Sequence, residues 1–115
     1  GARLMLSGDG NVLAVGAQLE DGSAKGINGK DDDAAEHAGA VYFYTRTDGL
    51  WKQQAYVKGS NTEIYDEFGS AMALNRDGSI MAVGARDEDS ASKGTRGNPN
   101  DNSASEAGAV YVFTY

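Results

Sequence analysis

The carboxylates of this chain have the most chemistry to offer. Glu20-Asp21, Lys25-Gly26, Gly29 and Asp33 recur in order as Glu88-Asp89, Lys93-Gly94, Gly97 and Asp101. Carboxylates converging across a glycine-containing loop can build an oxygen site for a hard cation such as calcium, which takes roughly six to eight oxygen ligands. That makes Glu20, Asp21, Asp33, Glu88, Asp89 and Asp101 the candidate metal ligands. The competing reading is a self-folded loop, in which Asp and Asn cap turns, Lys25 answers a nearby carboxylate and the glycines take positive φ. The self-folded loop is favoured. In the run Asp31-Asp32-Asp33 only Asp33 has an acidic counterpart, so the other two read as a solvated loop tip.

Other chemistry is poorly supplied. The single histidine, His37, aligns with Ser105 in the second copy, and the chain has no cysteine. One histidine alone makes neither a usual zinc site nor a catalytic constellation. No Gly-x-Ser-x-Gly elbow is present, and Gly26 to Gly29 lacks the lysine of a phosphate loop. Trp51, Tyr56 and Tyr65 are candidates for a ligand-contacting patch, but residues of this kind more often pack an outer strand onto its neighbour. Asp66-Glu67 reads as a turn device, accepting backbone N–H bonds at a junction. The expectation is no enzyme and no cofactor, calcium being the one ion the loops could take.

The elements that position these residues follow from the bulk pattern. At 115 residues the chain suits one modest core, and 16 glycines with one proline suggest many tight turns. A net charge of −7 argues against a nucleic-acid partner, and no apolar run approaches the roughly 18 residues that insert in a membrane as a helix.

Sliding the sequence by 68 aligns Gly1–His37 with Gly69–Ser105, and a shift to 69 aligns Ala38–Arg46 with Ala107–Tyr115. About 20 of the 46 aligned pairs are identical, which marks an internal repeat. Each copy predicts the same strands. The first copy reads as strands near 3–6, 12–17, 40–45 and 51–58, within a unit of residues 1–67. The second unit, 68–115, repeats three strands and lacks the outer one. Asp9-Gly10 and Asp77-Gly78, each between apolar runs, predict two-residue type I′ hairpin turns. The inner three strands are apolar on both faces, which implies burial on both. The fourth places Lys52 and Lys58 on alternate positions, as an exposed edge strand does. The fold class expected is all-β, with propeller blades of four antiparallel strands, about one and three-quarter blades and little or no helix.

Phe68-Gly69 opening the inner strand, Gly84-Ala85 closing the second and Ala107-Gly108-Ala109-Val110-Tyr111-Val112-Phe113 as the third resemble an FG-GAP repeat. Gly16-Ala17 and Gly39 hold the matching places in the first copy. The closest flavour is bacterial, with Trp51…Gln53-Gln54-Ala55-Tyr56 and Gly59-Ser60-Asn61-Thr62. Two departures stand out. Gln18 and Arg86 replace the proline of the family element, and the turns Ser7–Asn11 and Asn75–Ser79 are too short for the family's calcium loop. The resemblance implies an integrin-like β-propeller repeat in an extracellular or cell-surface protein, a non-enzymatic scaffold for protein–protein or adhesive contacts. Alternatives are a structural subunit of a ring or filament built by blade packing, and a calcium-dependent ligand-binding propeller. The chain begins at Gly1 in mid-repeat and reads as a piece of something longer. The expected partners are protein: further blades of the same parent chain or identical copies.

Overall fold

Turns set the frame of the molecule, a computed structural model that describes residues 3–30, 32–91 and 97–115. Only the glycine of Asp9-Gly10 and of Asp77-Gly78 has positive φ, 74° and 76°. Gly10 N donates to Ser7 O and Gly78 N to Asn75 O, so each is a type I turn followed by a left-handed glycine. The expected type I′ geometry is therefore absent at these two sites. The loops hold one residue more on each side of the Asp-Gly pair, with Ser7 N on Val12 O at 2.9 Å and Asn75 N on Ile80 O at 3.1 Å. Type I′ geometry falls at Asp48-Gly49, where both φ values are positive, 51° and 78°, between the paired residues Thr47 and Leu50.

Those turns organise seven strands: β1 Arg3–Leu6, β2 Val12–Ala17, β3 Ala40–Thr47, β4 Leu50–Val57, β5 Phe68–Leu74, β6 Ile80–Ala85 and β7 Ala109–Thr114. They form two antiparallel sheets, β1-β2-β3-β4 and β5-β6-β7, with no helix among the described residues. The chain is all-β, and the sheets are partial propeller blades.

One face of each sheet builds the core. Ala14, Val41 and Phe43 of the first sheet meet Phe68, Met81, Val83 and Ala85 of the second, with Met72, Leu74, Tyr111 and Phe113 packed around them. The register explains the choice: Ala14 pairs with Phe43 and Gly16 with Val41, which puts them on one side. Burial on both faces was expected; the structure buries this face, while the far face of the first sheet is only partly covered, with Tyr56 buried and Leu13, Val15 and Tyr42 half-buried. Leu4 on the far side of the first sheet is 69% exposed, and Val110 on the far side of the second is 72% exposed.

The outer strand also departs from expectation. The pairing of β3 with β4 shifts between Phe43 and Tyr44, so Ala55 and Gln53 pair while Gln54 bulges between them. Lys58, expected as a solvated edge lysine, follows the strand and is 0% exposed. Its reason lies in the first acidic loop.

Candidate functional site: the joint between sheets and its carboxylate loops

The joint turns on Phe68. Its N–H donates to Ala38 O at 2.9 Å, and its ring stands edge-on to Tyr111 at 5.4 Å and to Phe113 at 6.1 Å. The backbones cross so closely that side chains are excluded. Gly39 has φ 80°, and a Cβ there would collide with the backbone of Phe68. A Cβ on Gly16 would sit 2.6 Å from Gly69 O, and one on Gly69 2.9 Å from Ala40 O. Neighbouring repeat positions do related work. Ala17 pairs with Ala40, Gly84 with Val110 and Ala85 with Ala109. Gly39 N donates to Glu20 O and Gly108 N to Glu88 O, at 2.8 and 2.7 Å. At the turn end, Asp9 N donates to Arg76 O at 3.0 Å, tying hairpin to hairpin.

The acidic loops are built alike. In the first, Tyr56 Oη donates to Glu20 Oε1 at 2.9 Å and Lys58 Nζ to Glu20 Oε2 at 2.7 Å. His37 N donates to Asp21 Oδ1 at 2.8 Å. Ser23 donates its N–H and hydroxyl to Asp32 at 2.8 and 2.9 Å, and these bonds hold Asp32 below the usual carboxylate range. In the second, Asn61 Nδ2 donates to Glu88 Oε1 at 2.9 Å and Ser90 N to Glu88 Oε2 at 3.0 Å, while the Ser90 hydroxyl also reaches Oε1. Glu106 N donates to Asp89 Oδ1 at 2.7 Å. Asp33 and Asp101 are exposed. Among the described residues no group of three or more His, Cys, Asp or Glu side chains gathers as a metal site. Four of the six candidate ligands, Glu20, Asp21, Glu88 and Asp89, thus face protein donors. Asp31, Lys93 and Gly94 lie outside the described residues.

One alignment changes. His37 and Glu106 each have positive φ, 52° and 55°, and each donates its N–H to the equivalent Asp, so Glu106 rather than Ser105 is the counterpart of His37. The one-residue insertion therefore lies earlier in the polar loop.

The linker between sheets carries a buried polar cluster. Tyr111 Oη donates to Asn61 Oδ1, and burial first, then the negative charge of Glu88, pushes the Tyr111 phenol up. Burial likewise raises Asp66 to about 6, against the hydrogen bond from Glu63 N and with repulsion from Glu88, Glu63 and Asp89 adding to it. Glu67 Oε2 lies 2.8 Å from Arg86 Nη2, so the residue in the place of the family proline clasps the junction. The aromatic candidates do not meet. Trp51 sits at the rim with the Arg46 guanidinium 5.5 Å from its ring, Tyr56 packs on Tyr42, and Tyr65 stands edge-on to His37. Asn61, Lys58 and Tyr111 were missed as site residues. Their one sequence signal was that Glu20 and Glu88, which they serve, are identical in the two copies.

Two repeat-related antiparallel sheets, stacked through an aromatic crossing, define a propeller-type repeat module. The FG-GAP repeat family model matches residues 51–113, more than half of the sequence, and the chain belongs to that family. A search of curated proteins found no match, and neither did a search of solved structures.

Proposed function

We propose that this chain is a non-enzymatic propeller segment that scaffolds protein–protein or adhesive contacts outside the cell or at its surface. One observation carries the reading. The joint between the sheets unites two unlike apolar faces, and each outer face of the molecule repeats the half that its own sheet lacks. Leu4, Leu6, Leu13 and Val15 stand where Met72, Leu74, Met81 and Val83 stand in the repeat, while Ala82, Val110 and Val112 correspond to Ala14, Val41 and Phe43. Contiguous exposed apolar surface of this kind takes a protein neighbour. FG-GAP repeats usually occur in extracellular or surface proteins, which supports the setting.

A second reading, a ring or filament of identical copies, is favoured by the same asymmetry. Unlike, complementary faces make heterologous contacts, which close into rings or run on as fibres. Light scattering with electron microscopy tests both. Association that rises with concentration and is lost in Val112→Glu supports protein contact through these faces, and discrete particles or fibres then separate scaffold from polymer. A folded monomer that captures no blade-bearing partner overturns both.

A further inference from the structure

The long loop after β2 is strapped to the rim of the first sheet. Gly26 N donates to Gly59 O at 3.1 Å and Lys58 N to Gly26 O at 2.9 Å, and Ile27 forms an isolated bridge with Val57. Asn28 closes the strap from both sides of Tyr56. Its N–H donates to Tyr56 O at 2.7 Å, and its Oδ1 accepts Tyr56 N at 2.9 Å, so a side-chain oxygen takes the place of a strand carbonyl. The strap thereby covers the edge of β4 where Tyr56 and Lys58 would otherwise present unpaired backbone.

Geometry fixes both residues at the end of the strap. Asn28 has φ 56°, a left-handed position that asparagine tolerates better than most side chains. Gly29 follows it because a Cβ there would stand 2.6 Å from the Ala24 Cβ. The fold therefore demands Asn-Gly, the most labile setting for an already thermolabile residue, since glycine leaves the attacking nitrogen unhindered. Every other asparagine precedes Val, Thr, Arg, Pro, Asp or Ser. Asn28 is exposed, and among the described residues neither its Nδ2 nor Gly29 N has a hydrogen-bond acceptor.

We propose that Asn28-Gly29 is a deamidation site held shut by the strap, and that its isoaspartyl product unlatches the loop from β4. Gly29 N bonds to Asn28 Cγ, the Cγ–Nδ2 bond breaks, and ammonia leaves with the Gly29 amide proton. Water then opens the cyclic imide at either carbonyl, giving aspartate or isoaspartate, and no oxidant or reductant takes part. Left-handed backbone, with ψ of about +47°, turns Gly29 N away from Cγ. Attack therefore waits for the strap to lift, a local opening short of unfolding. Aspartate keeps an oxygen for Tyr56 N. Isoaspartate routes the main chain through Cβ and Cγ, so the N–H and the carboxylate no longer reach Tyr56 together. The β4 edge and the cover over the buried Lys58 are then open.

The whole protein, the same protein in urea and a peptide of residues 24–33 are incubated in warm, mildly alkaline buffer. Mass spectrometry of digests, with ammonia release, locates each conversion. Isomerisation at the Asp-Gly pairs leaves the mass unchanged and is not confused with it. Asn28 is expected to convert before any other asparagine, at the peptide's rate in urea and at least about tenfold more slowly in the native protein. The Tyr56 and Lys58 amides should lose hydrogen-exchange protection in the isoaspartyl fraction and keep it in Asn28→Asp, with unconverted protein in the same sample as reference. Earlier conversion of another asparagine, or none at Asn28 in urea, overturns the site. A native rate equal to the peptide's overturns the gate, and retained Tyr56 protection in the isoaspartyl fraction overturns the latch.

Discussion

Lys58 Nζ and Glu20 Oε2 sit 2.7 Å apart, with the lysine wholly shielded from water and the glutamate nearly so. The pair pins the end of β4 to the loop that follows β2, joining residues distant in sequence. Lys58→Met leaves Glu20 buried against Tyr56 without its counter-charge. The expected loss is ~3 kcal/mol, read from urea unfolding. Adding Glu20→Gln should recover part of it, since the uncompensated charge is then gone.

Gly39 and Gly49 both have φ near 80° but differ in surroundings. Nothing lies within 4 Å of a Cβ on Gly49, whereas one on Gly39 strikes the backbone of Phe68. Gly49→Ala is expected to cost about 1 kcal/mol, the strain of left-handed backbone alone. Gly39→Ala should cost at least about twice that and lower the near-ultraviolet signal of the aromatic joint, because backbone on both sides must move.

Asp66 titrates at about 6 in the folded protein against 3.8 in an exposed chain. The native state therefore binds the extra proton more readily, so the stability this one group contributes is fully present below about pH 4 and is lost as pH rises through 6. Over that window the change is roughly 2 kcal/mol, discounted from the full shift. Asp66→Asn should flatten the profile between pH 4 and 6 and raise stability at pH 7. Asp9, Asp32 and Asp77 are shifted the other way, and their contribution is lost only as pH falls below 3.8. The two effects occupy separate pH ranges in a urea titration.

Calcium is expected to leave the melting temperature unchanged relative to chelator. An ion bound only to the native state must raise it, but Glu20, Asp21, Glu88 and Asp89 already face protein donors. An upward shift with calcium would restore the metal reading of the loops.

Trp51 is 44% exposed and touches Arg46 across its ring. Trp51→Ala should cost under about 1 kcal/mol, the range of an exposed cation–π contact. A larger loss in thermal unfolding would show that the rim carries more of the sheet than its exposure implies.

The inner strands were legible because they are written twice. Val12–Ala17 and Ile80–Ala85 share small and branched residues at matched positions, and packing at the crossing demands them. The turn geometry was not legible. Asp-Gly occurs at Asp9-Gly10, Asp21-Gly22, Asp48-Gly49 and Asp77-Gly78, and at the three that close hairpins its conformation depends on how many residues separate the last paired positions, which the dipeptide does not encode. Lys58 was misread because a lysine's burial is decided by its partner, and Glu20 lies on another loop. The pairing of His37 with Glu106 escaped alignment because polar loops have no apolar rhythm to place an insertion.

The matched segment, residues 51–113, starts in β4 of one sheet and runs through the third strand of the next. Sequence unit and sheet are thus out of phase by one strand. The matched unit supplies the outer strand of the first sheet and the strands of the second, so it bridges the two sheets rather than coinciding with either. A cut made between sheets would sever no strand, yet it would divide a sequence unit in two.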